Sequence, residues 1–510
     1  AWSRMLSRGA SVEIDAVYFN PAGLTKLGDG FHISLSSQSI FQTQTITSTF
    51  PYLNEQEYTG KISAPVFPSV YLAYKTGKFV FSFGFLAIGG GGGAAFERGV
   101  PMMEVPISTL APTFKSLGVD GYTVNMEFNG TSVYWGLQGG VSYEINDHIS
   151  VFAGARYIMA KNTYKGHLRD ITLLRPEAAG GPVAAEVFIS GLSTMANGAG
   201  SSMQPIIEGG GGELTWDQVV ALGVITPEES AALQGGLVQM GFPQETVAAM
   251  NIIQAQGAYF GTAAKLGATA PLMADQDGDI TQTGSGITPI IGANLSFFED
   301  NLNIGMKYEF MTKMDLTNEV PDGKGFFIGY NDDQTRKYMF PDGAKTNADI
   351  PAMLSIGVDY RIIDPLKVSV TYHTYFDKNT GWAKEAEDAT PSAPVIDKNF
   401  WEFAIGLEYS ITDNFLLSGG YLRAQTGVTQ AYQSNLGFSL TTNTMAFGGA
   451  YKINDMFRLN LGGYYTMYDE QTYDMSYEGL DGTVTPYKET YLKSTFAVAI
   501  GVDIAIGAKK

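Results

Sequence analysis

The chain repeats one pattern: two segments in which apolar and polar residues alternate are joined by a very short turn, and a long polar segment precedes the next pair. Alternation with a period of two is typical of a β-strand with one apolar face. Short turns at one end of the strands and long loops at the other are typical of a transmembrane β-barrel. The short turns are Thr76-Gly77-Lys78, Asn146-Asp147, Glu299-Asp300-Asn301, Asp364-Pro365, Thr412-Asp413-Asn414 and Asn454-Asp455.

The alternation predicts about fourteen antiparallel strands, an even number as in bacterial single-chain barrels. It is clearest near residues 401–410, where one face is apolar and the other is small or charged. If the apolar face contacts lipid, the other face lines a polar or tightly packed lumen. The predicted fold class is all-β, a transmembrane antiparallel β-barrel over residues 31–510. The apolar residues of this example are Trp401, Phe403, Ile405, Leu407 and Tyr409.

Residues 1–30 do not fit the barrel wall. They are too irregular for a strand but contain apolar side chains. A barrel of this size encloses an open channel unless something fills it. We therefore predict that these residues form a hatch, a plug folded inside the lumen.

Residues 169–285 form a segment that is too long to be structureless in a compact protein. Two capping boxes, each a threonine followed three residues later by Gln or Glu, mark helix starts inside it. They begin at Thr215 and Thr226. The sequence therefore predicts a helical extracellular insertion in the barrel. The predicted helices cover about 216–222, 227–240 and 244–264.

The apolar faces of these helices allow two interpretations. They can simply stabilise a cap over the barrel. They can also hold an apolar ligand at the outer mouth, since methionine and aromatic side chains adapt to irregular apolar guests. The second interpretation makes these side chains ligand contacts: Trp216, Val220, Leu237, Met240, Met250, Ile253 and Phe260.

The composition excludes several classes of function. The net charge of -19 is opposite to what nucleic-acid phosphates require. The chain has no cysteine, so it has no disulfide and no thiolate metal site. Its four histidines lie far apart in the sequence, with no spacing typical of a metal site or an activated nucleophile. We therefore predict no enzyme activity, no cofactor and no nucleic-acid partner.

Acidic loops raise the question of bound cations. Asp275, Asp277 and Asp279 resemble a calcium loop only in part, because a glycine falls too early and no bidentate glutamate follows at the proper distance. They are the weak candidate for a metal site, and an ordinary acidic turn is the alternative. Acidic loops such as residues 385–388 are expected to be solvated, with divalent-cation bridging to lipopolysaccharide as the other interpretation.

The sequence before the first strand carries a specific resemblance. Residues 14–24 end in Asn20-Pro21-Ala22-Gly23-Leu24, which resembles the Asn-Pro-Ala-Gly-Leu signature of the FadL/TodX family. The members of this family are outer-membrane transporters of long-chain fatty acids and other hydrophobic molecules. The family pattern, an even-stranded barrel with an N-terminal hatch and a helical third loop, covers nearly the whole chain. The resemblance assigns the motif residues to the hatch.

The resemblance also implies a route: capture at the outer loops, transfer to a site in the lumen beside the hatch, and lateral exit through a gap at a kink in the third strand. In this chain the third strand contains Gly89, Gly90, Gly91, Gly92 and Gly93. Because glycine has no side chain to fill the wall and tolerates unusual backbone angles, we predict the lateral gate here. A bend at the barrel rim, or close packing on the hatch, is the alternative.

Passive uptake of hydrophobic molecules across the bacterial outer membrane is the predicted function. The expected partners are a hydrophobic small molecule, lipid or detergent, together with outer-membrane lipid and lipopolysaccharide, and the chain is expected to be monomeric. Two alternatives stay open. One is a scaffold or secretion-accessory barrel that binds a protein partner, and the other is a diffusion porin with an open aqueous pore.

Overall fold

The wall of the molecule is one closed antiparallel sheet. The computed structural model describes residues 1–389 and 394–509, and over these residues fourteen strands follow one another around the barrel. The first wall strand pairs with the last, from Phe31 opposite Ile506 to Ser48 opposite Glu489, so the sheet has no open edge there. The predicted barrel is confirmed.

The wall strands are numbered in chain order, and some consist of two segments. They are β1 (Asp29–Ser48), β2 (Glu57–Thr76), β3 (Phe79–Phe96), β4 (Gly121–Asn146), β5 (Ile149–Leu174), β6 (Gln276–Phe297), β7 (Leu302–Glu309 and Asp315–Glu319), β8 (Lys345–Asn347 and Met353–Ile363), β9 (Leu366–Tyr375), β10 (Trp401–Thr412), β11 (Phe415–Gln425), β12 (Thr442–Lys452), β13 (Phe457–Tyr468 and Gln471–Glu478) and β14 (Val484–Lys509).

The outer surface of the wall is apolar, as the alternation predicts. Along β10, Leu407 is exposed while its neighbour Glu408 is buried toward the interior. Large apolar side chains elsewhere on the wall are more exposed still, with Phe447 at 66%, Leu461 at 65% and Ile500 at 62%. A surface of this kind is unfavourable in water and suited to hydrocarbon.

The predicted short turns connect wall strands at one end of the barrel. In the β4–β5 turn, the side-chain oxygen of Asn146 accepts hydrogen bonds from the backbone N–H groups of His148 and Ile149, both at 2.9 Å. Asn454 accepts the equivalent bonds in the β12–β13 turn. These side chains replace the backbone partners that a tight turn lacks, which is why asparagine recurs there.

The helical insertion lies between β5 and β6. Both predicted capping boxes are present, with the backbone N–H of Thr226 donating to the Glu229 carboxylate at 2.8 Å. No helix in the described ranges is long and apolar enough to cross a membrane. The main helices of the insertion are Ala185–Ser202, Trp216–Ala221, Pro227–Gln239, Gln244–Ala249 and Ile252–Thr269.

Two features of the insertion differ from the prediction. The segment predicted as one helix at 244–264 is two helices, because Asn251 starts a new one through a third capping box with Gln254. The helix Ala185–Ser202 is absent from the prediction, since its glycines weaken the local helix signal. Tertiary packing supplies what the local signal lacks, because this helix lies against Ile252–Thr269.

Shorter elements complete the molecule. The N-terminal segment contains the helical turns Trp2–Arg4, Ala16–Phe19 and Pro21–Lys26. The loops opposite the short turns contain the helices Pro101–Ser108, Leu110–Thr113 and Gly381–Ala389, and a small hairpin of Phe327–Tyr330 with Arg336–Tyr338.

Candidate functional site

The N-terminal segment, residues 2–26, contacts the inner face of the wall on opposite sides. The amide of Gln138 in β4 donates to the backbone carbonyl of Val17 at 2.6 Å. The guanidinium of Arg4 donates to the hydroxyl of Ser418 in β11 at 3.0 Å. Because β4 and β11 face each other across the closed sheet, the segment extends across the interior of the barrel.

The first part of the Asn-Pro-Ala-Gly-Leu motif bonds to the wall. The amide of Asn20 donates to the side-chain oxygen of Asn294 in β6 at 2.8 Å. Pro21 begins a short helix, and its carbonyl accepts a hydrogen bond from the hydroxyl of Ser142 in β4 at 2.7 Å. Proline suits this first helical position because its missing N–H has no helical partner there.

The second part of the motif is defined by close packing. Ala22 is buried against Phe152 of β5. An added Cβ on Gly23 would lie 2.5 Å from the backbone oxygen of Ser11, so no larger residue fits without movement. Leu24 is fully buried. Each motif residue therefore has a physical role in docking the segment onto the wall.

Buried charges hold the N-terminal segment together. Arg8 is fully buried and bonds to the carboxylate of Asp15 at 2.6 Å, while Arg458 of β13 pairs with Glu13 at 2.7 Å. Burial by itself would raise the pKa of both carboxyl groups. The charges of Arg8 on Asp15, and of Arg458 and Arg8 on Glu13, outweigh burial and lower the pKa of each.

A second charged cluster holds Tyr18. The guanidinium of Arg156 lies 4.9 Å from the centre of the Tyr18 ring, and the ammonium of Lys307 lies 4.7 Å from it. Glu309 neutralises both cations, at 2.7 Å from each. The ammonium of Lys307 also donates to the backbone carbonyl of Tyr18 at 2.7 Å. The ring is thus fixed by wall strands β5 and β7.

The wall is interrupted between β2 and β3. The two strands pair from the turn up to Val70 opposite Phe85, and then only at Lys61 opposite Ala95. The residues between these two positions do not pair across this seam. The backbone pairing is therefore interrupted along the strand that contains the glycine run.

Both strands carry backbone features that disfavour regular pairing near the interruption. Pro65 and Pro68 of β2 have no N–H to donate to a neighbouring strand. On β3, Gly90 has a φ of +80°, a left-handed conformation that favours glycine, and an added Cβ would lie 2.3 Å from the backbone oxygen of Ser132. Pairing of β3 with β4 shifts register on both sides of Gly89.

The rest of the glycine run is only partly described. Gly93 packs tightly on β4, since an added Cβ would lie 2.5 Å from the side chain of Thr131. Gly91 and Gly92 belong to β3, and their surroundings lie outside the described residues.

A cavity of about 390 Å³ lies in the lumen and reaches this interrupted seam. The N-terminal segment contributes Trp2 and Tyr18 to its lining. Phe67 of β2 and Ile88 and Gly89 of β3 line it at the interrupted seam. The cavity therefore connects the N-terminal segment with the gap in the wall.

Phe67 lies between the lumen and the outer surface. Its ring lines the cavity and lies 5.6 Å from the ring of Trp135 on β4. Trp135 alternates with the inward-facing Gln138 and stacks on Phe85 at 5.0 Å. Phe67 therefore lies beside the interrupted seam, in contact with both the cavity and the ring of Trp135.

A second cavity, of about 260 Å³, lies among the loops opposite the short turns. Its lining is almost entirely apolar and rich in methionine. Because it is formed by several loops, its shape depends on how they pack against one another. The lining includes Met102, Met103, Leu272, Met273, Phe327 and Met339.

The side chains predicted as ligand contacts on the insertion line neither of these two cavities. Trp216 and Leu237 are buried in a core that belongs to the insertion, where the indole N–H of Trp216 donates to the carbonyl of Val247 at 2.9 Å. Of the others, Met240 and Met250 pack against this core, Val220 is half-buried, and Ile253 and Phe260 are exposed.

The aspartates considered for a cation bond to other protein groups. Asp277 pairs with Arg169, Asp279 pairs with Lys165 at 3.1 Å, and Asp275 accepts a backbone hydrogen bond. Within the described residues, no group of three or more His, Cys, Asp or Glu side chains is arranged to hold a metal ion.

Sequence reasoning did not identify the prolines of β2, the ring of Phe67 or the methionine-rich outer cavity. The prolines carry a usable signal, because proline inside a strand argues for an unpaired edge. The cavity residues are far apart in the sequence, so only the folded chain brings them together.

Comparison with known proteins supports the fold. No protein-family model matches the sequence, and no curated protein sequence does either. The crystal structure of a Pseudomonas aeruginosa FadL homologue is similar, with a TM-score of 0.58 and 12% identity over 99% of this chain and 97% of that one. The P. putida toluene transporter TodX has a TM-score of 0.50 and 13% identity over 97% and 94% of the two chains. The fold implied by the motif resemblance is confirmed.

Proposed function

We propose that this protein takes up hydrophobic molecules passively across the bacterial outer membrane, in the manner of the FadL and TodX transporters whose fold it shares. The observation that carries the proposal is the luminal cavity that reaches an interruption in the barrel wall. A diffusion porin has no need of a side opening. A wall with an apolar exterior and a lateral gap offers a path from lumen to lipid.

The proposed path begins at the outer loops. The methionine-rich cavity there captures an apolar molecule from the medium, since methionine side chains adapt to guests of irregular shape. The helical insertion supports the loops around this cavity, and its exposed Ile253 and Phe260 offer further apolar contacts.

The N-terminal segment acts as the hatch in this proposal. Its contacts with opposite sides of the wall obstruct free diffusion of ions through the lumen. Trp2 and Tyr18 also form part of the luminal cavity, so movement of the hatch alters the space available to a ligand.

Exit into the bilayer is energetically favourable. Each methylene group transferred from water to an apolar phase gains about 0.8 kcal/mol. A hydrophobic molecule in the lumen therefore leaves through the β2–β3 gap into lipid more readily than into aqueous periplasm. Such exit needs no nucleotide hydrolysis.

Two measurements test the proposal. Cells carrying the protein in the outer membrane are expected to take up radiolabelled 1-dodecanol faster than cells lacking it. In planar bilayers the purified protein is expected to pass little current, because the hatch obstructs the lumen. A large steady conductance would contradict the hatch, and equal uptake by both cell types would contradict transport.

A further inference from the structure

The luminal cavity contains an unusual group of hydrogen-bond acceptors. His373 and Tyr375 of β9 and Glu402 of β10 all line it, and they lie on the opposite side of the barrel from the β2–β3 gap. The side chains of His373 and Glu402 remain partly accessible, at 19% and 22%. A ligand in the cavity can therefore reach them.

The hydrogen bonds within this group fix what it offers to a ligand. The ring Nδ1 of His373 lies 2.9 Å from Glu402 Oε2, and the hydroxyl of Tyr375 lies 3.1 Å from the same oxygen. A carboxylate only accepts, so both neighbours donate to it. The hydroxyl of Tyr375 has then used its single proton, so only its oxygen lone pairs remain for a further partner.

The second carboxylate oxygen has no protein partner. Among the described residues, no donor lies within hydrogen-bond distance of Glu402 Oε1. Nor does Glu402 have a lysine or arginine partner in that part of the chain, since its one ion-pair contact is His373. The acceptors that face the cavity here are therefore Oε1 of Glu402 and the oxygen of Tyr375.

Each of the other charged side chains that line the cavity has at least one partner, although Nε and Nη2 of the buried Arg4 have no hydrogen-bond partner among the described residues. Arg4 pairs with Glu408, Asp15 pairs with Arg8, and Lys307 pairs with Glu309. Asp503 accepts hydrogen bonds from Ser34 and Asn460, both at 2.7 Å.

We propose that this cavity selects neutral hydrophobic molecules that carry a hydrogen-bond donor, such as a hydroxyl group, over long-chain carboxylates. A hydroxyl group satisfies the free Oε1 of Glu402, while the alkyl part contacts Met353 and Leu422 beside it. A carboxylate brings a second negative charge beside Glu402 and offers no proton to either acceptor. The inference rests on the proposed uptake function and defines the substrate class of the same cavity.

The test compares three ligands of equal chain length. Binding of 1-dodecanol, dodecane and dodecanoate to the purified full-length protein in detergent is measured by calorimetry. We expect 1-dodecanol to bind at least about tenfold more tightly than dodecanoate, with dodecane between them. Equal affinity for 1-dodecanol and dodecanoate would overturn the selectivity. Binding of none of the three would instead overturn the proposed function.

Two variants test whether Glu402 causes the selectivity against dodecanoate. Glu402→Gln removes the charge and keeps an acceptor oxygen, so dodecanoate affinity is expected to rise about tenfold with little change for 1-dodecanol. Glu319→Gln makes the same change at an exposed position outside the cavity and is expected to change neither affinity. An unchanged ratio in Glu402→Gln would overturn the role of this group. If that variant does not fold, the ligand series on the unmodified protein still decides the selectivity.

Discussion

Two seams of the same barrel differ in how continuously the backbones of their strands pair. The β4–β5 seam pairs along its whole length, from Gly121 opposite Leu174 to Asn146 opposite Ile149. The β2–β3 seam loses its pairing beyond Val70 and regains it only near the outer end. Both seams face the N-terminal segment, so contact with that segment does not explain the difference.

The presence of glycine alone does not explain why the β2–β3 seam loses its pairing either. The β4 strand contains Gly136, Gly139 and Gly140, and each of them has a paired partner in β5. The β2–β3 seam differs in that the unpaired part of β2 also contains Pro65 and Pro68, which have no N–H to donate. Unusual backbone residues thus occur on both strands of the interrupted seam.

The largest effect is expected from a change that weakens the N-terminal segment, which we propose to be the hatch. Arg8→Met leaves the carboxylate of Asp15 buried without its partner, at a cost of about 3–5 kcal/mol. We expect the hatch to undock and single-channel conductance to rise. Lys26→Met removes a pair with the half-exposed Asp300 and is expected to cost at most about 1 kcal/mol. Unchanged conductance in Arg8→Met would show that the hatch does not close the lumen.

The second largest effect is expected from a substitution that narrows the proposed lateral gate directly. Gly89→Leu places an alkyl side chain at the edge of the cavity, where an added Cβ makes ordinary contact with Tyr134 at 3.5 Å. We expect uptake of 1-dodecanol to fall about tenfold. Gly139→Leu makes the same change on the continuous seam, where an added Cβ meets only Ser82 at 3.9 Å. Equal uptake by the two variants would contradict a gate at β3.

A smaller effect is expected from a variant that restores backbone pairing between β2 and β3. The double variant Pro65→Thr and Pro68→Thr returns N–H donors to β2, and each new hydrogen bond is expected to contribute about 0.5–1.5 kcal/mol. Hydrogen exchange across residues 62–69 is expected to slow, and uptake to decrease. Pro486→Thr, in a hairpin where Pro486 already lies opposite Ser476, serves as the control. Faster exchange in the double variant would mean that the prolines do not cause the gap.

The smallest expected effect is a gradual change in the docking of the proposed hatch with pH. The pKa values of Glu13 and Asp15 are lowered below the ordinary 4.5 and 3.8. Such groups stabilise the folded state fully above the ordinary value, and the contribution is lost as pH falls toward the folded pKa. We expect docking of the hatch to be constant above about pH 5 and to weaken below about pH 4.

Fluorescence of Trp2, in a variant whose other tryptophans are replaced by phenylalanine, reports this docking. The double variant Glu13→Gln and Asp15→Asn is expected to lose the dependence on pH. A transition near pH 6 or higher would assign the titration to other groups.

The local parts of the fold are readable from the sequence. Alternation such as that at 401–410 identifies wall strands because neighbouring side chains of a strand point to opposite faces. The helix starts at Thr215 and Thr226 are equally local, since a capping box involves residues only three apart. The helix Ala185–Ser202 is not readable, because its stability depends on a partner far along the chain.

The candidate site likewise has parts that are readable from the sequence and parts that are not. The motif at Asn20–Leu24 and the glycine run of β3 are visible as strings of residues, and the resemblance to a family assigns them expected roles. The sequence contains no sign that Phe67, Tyr18 and Glu402 line one cavity. Their distances in the chain are large, and closure of the barrel alone brings them together.

The sequence by itself determined a cylinder of alternating strands with an apolar outside, because those properties depend on neighbours one or two residues apart. The tertiary structure decided which seam loses its pairing and which polar groups face the lumen. Pairing across a seam depends on the donors and acceptors of two separate strands, and an acceptor such as Glu402 is free or satisfied only in relation to residues that folding places beside it.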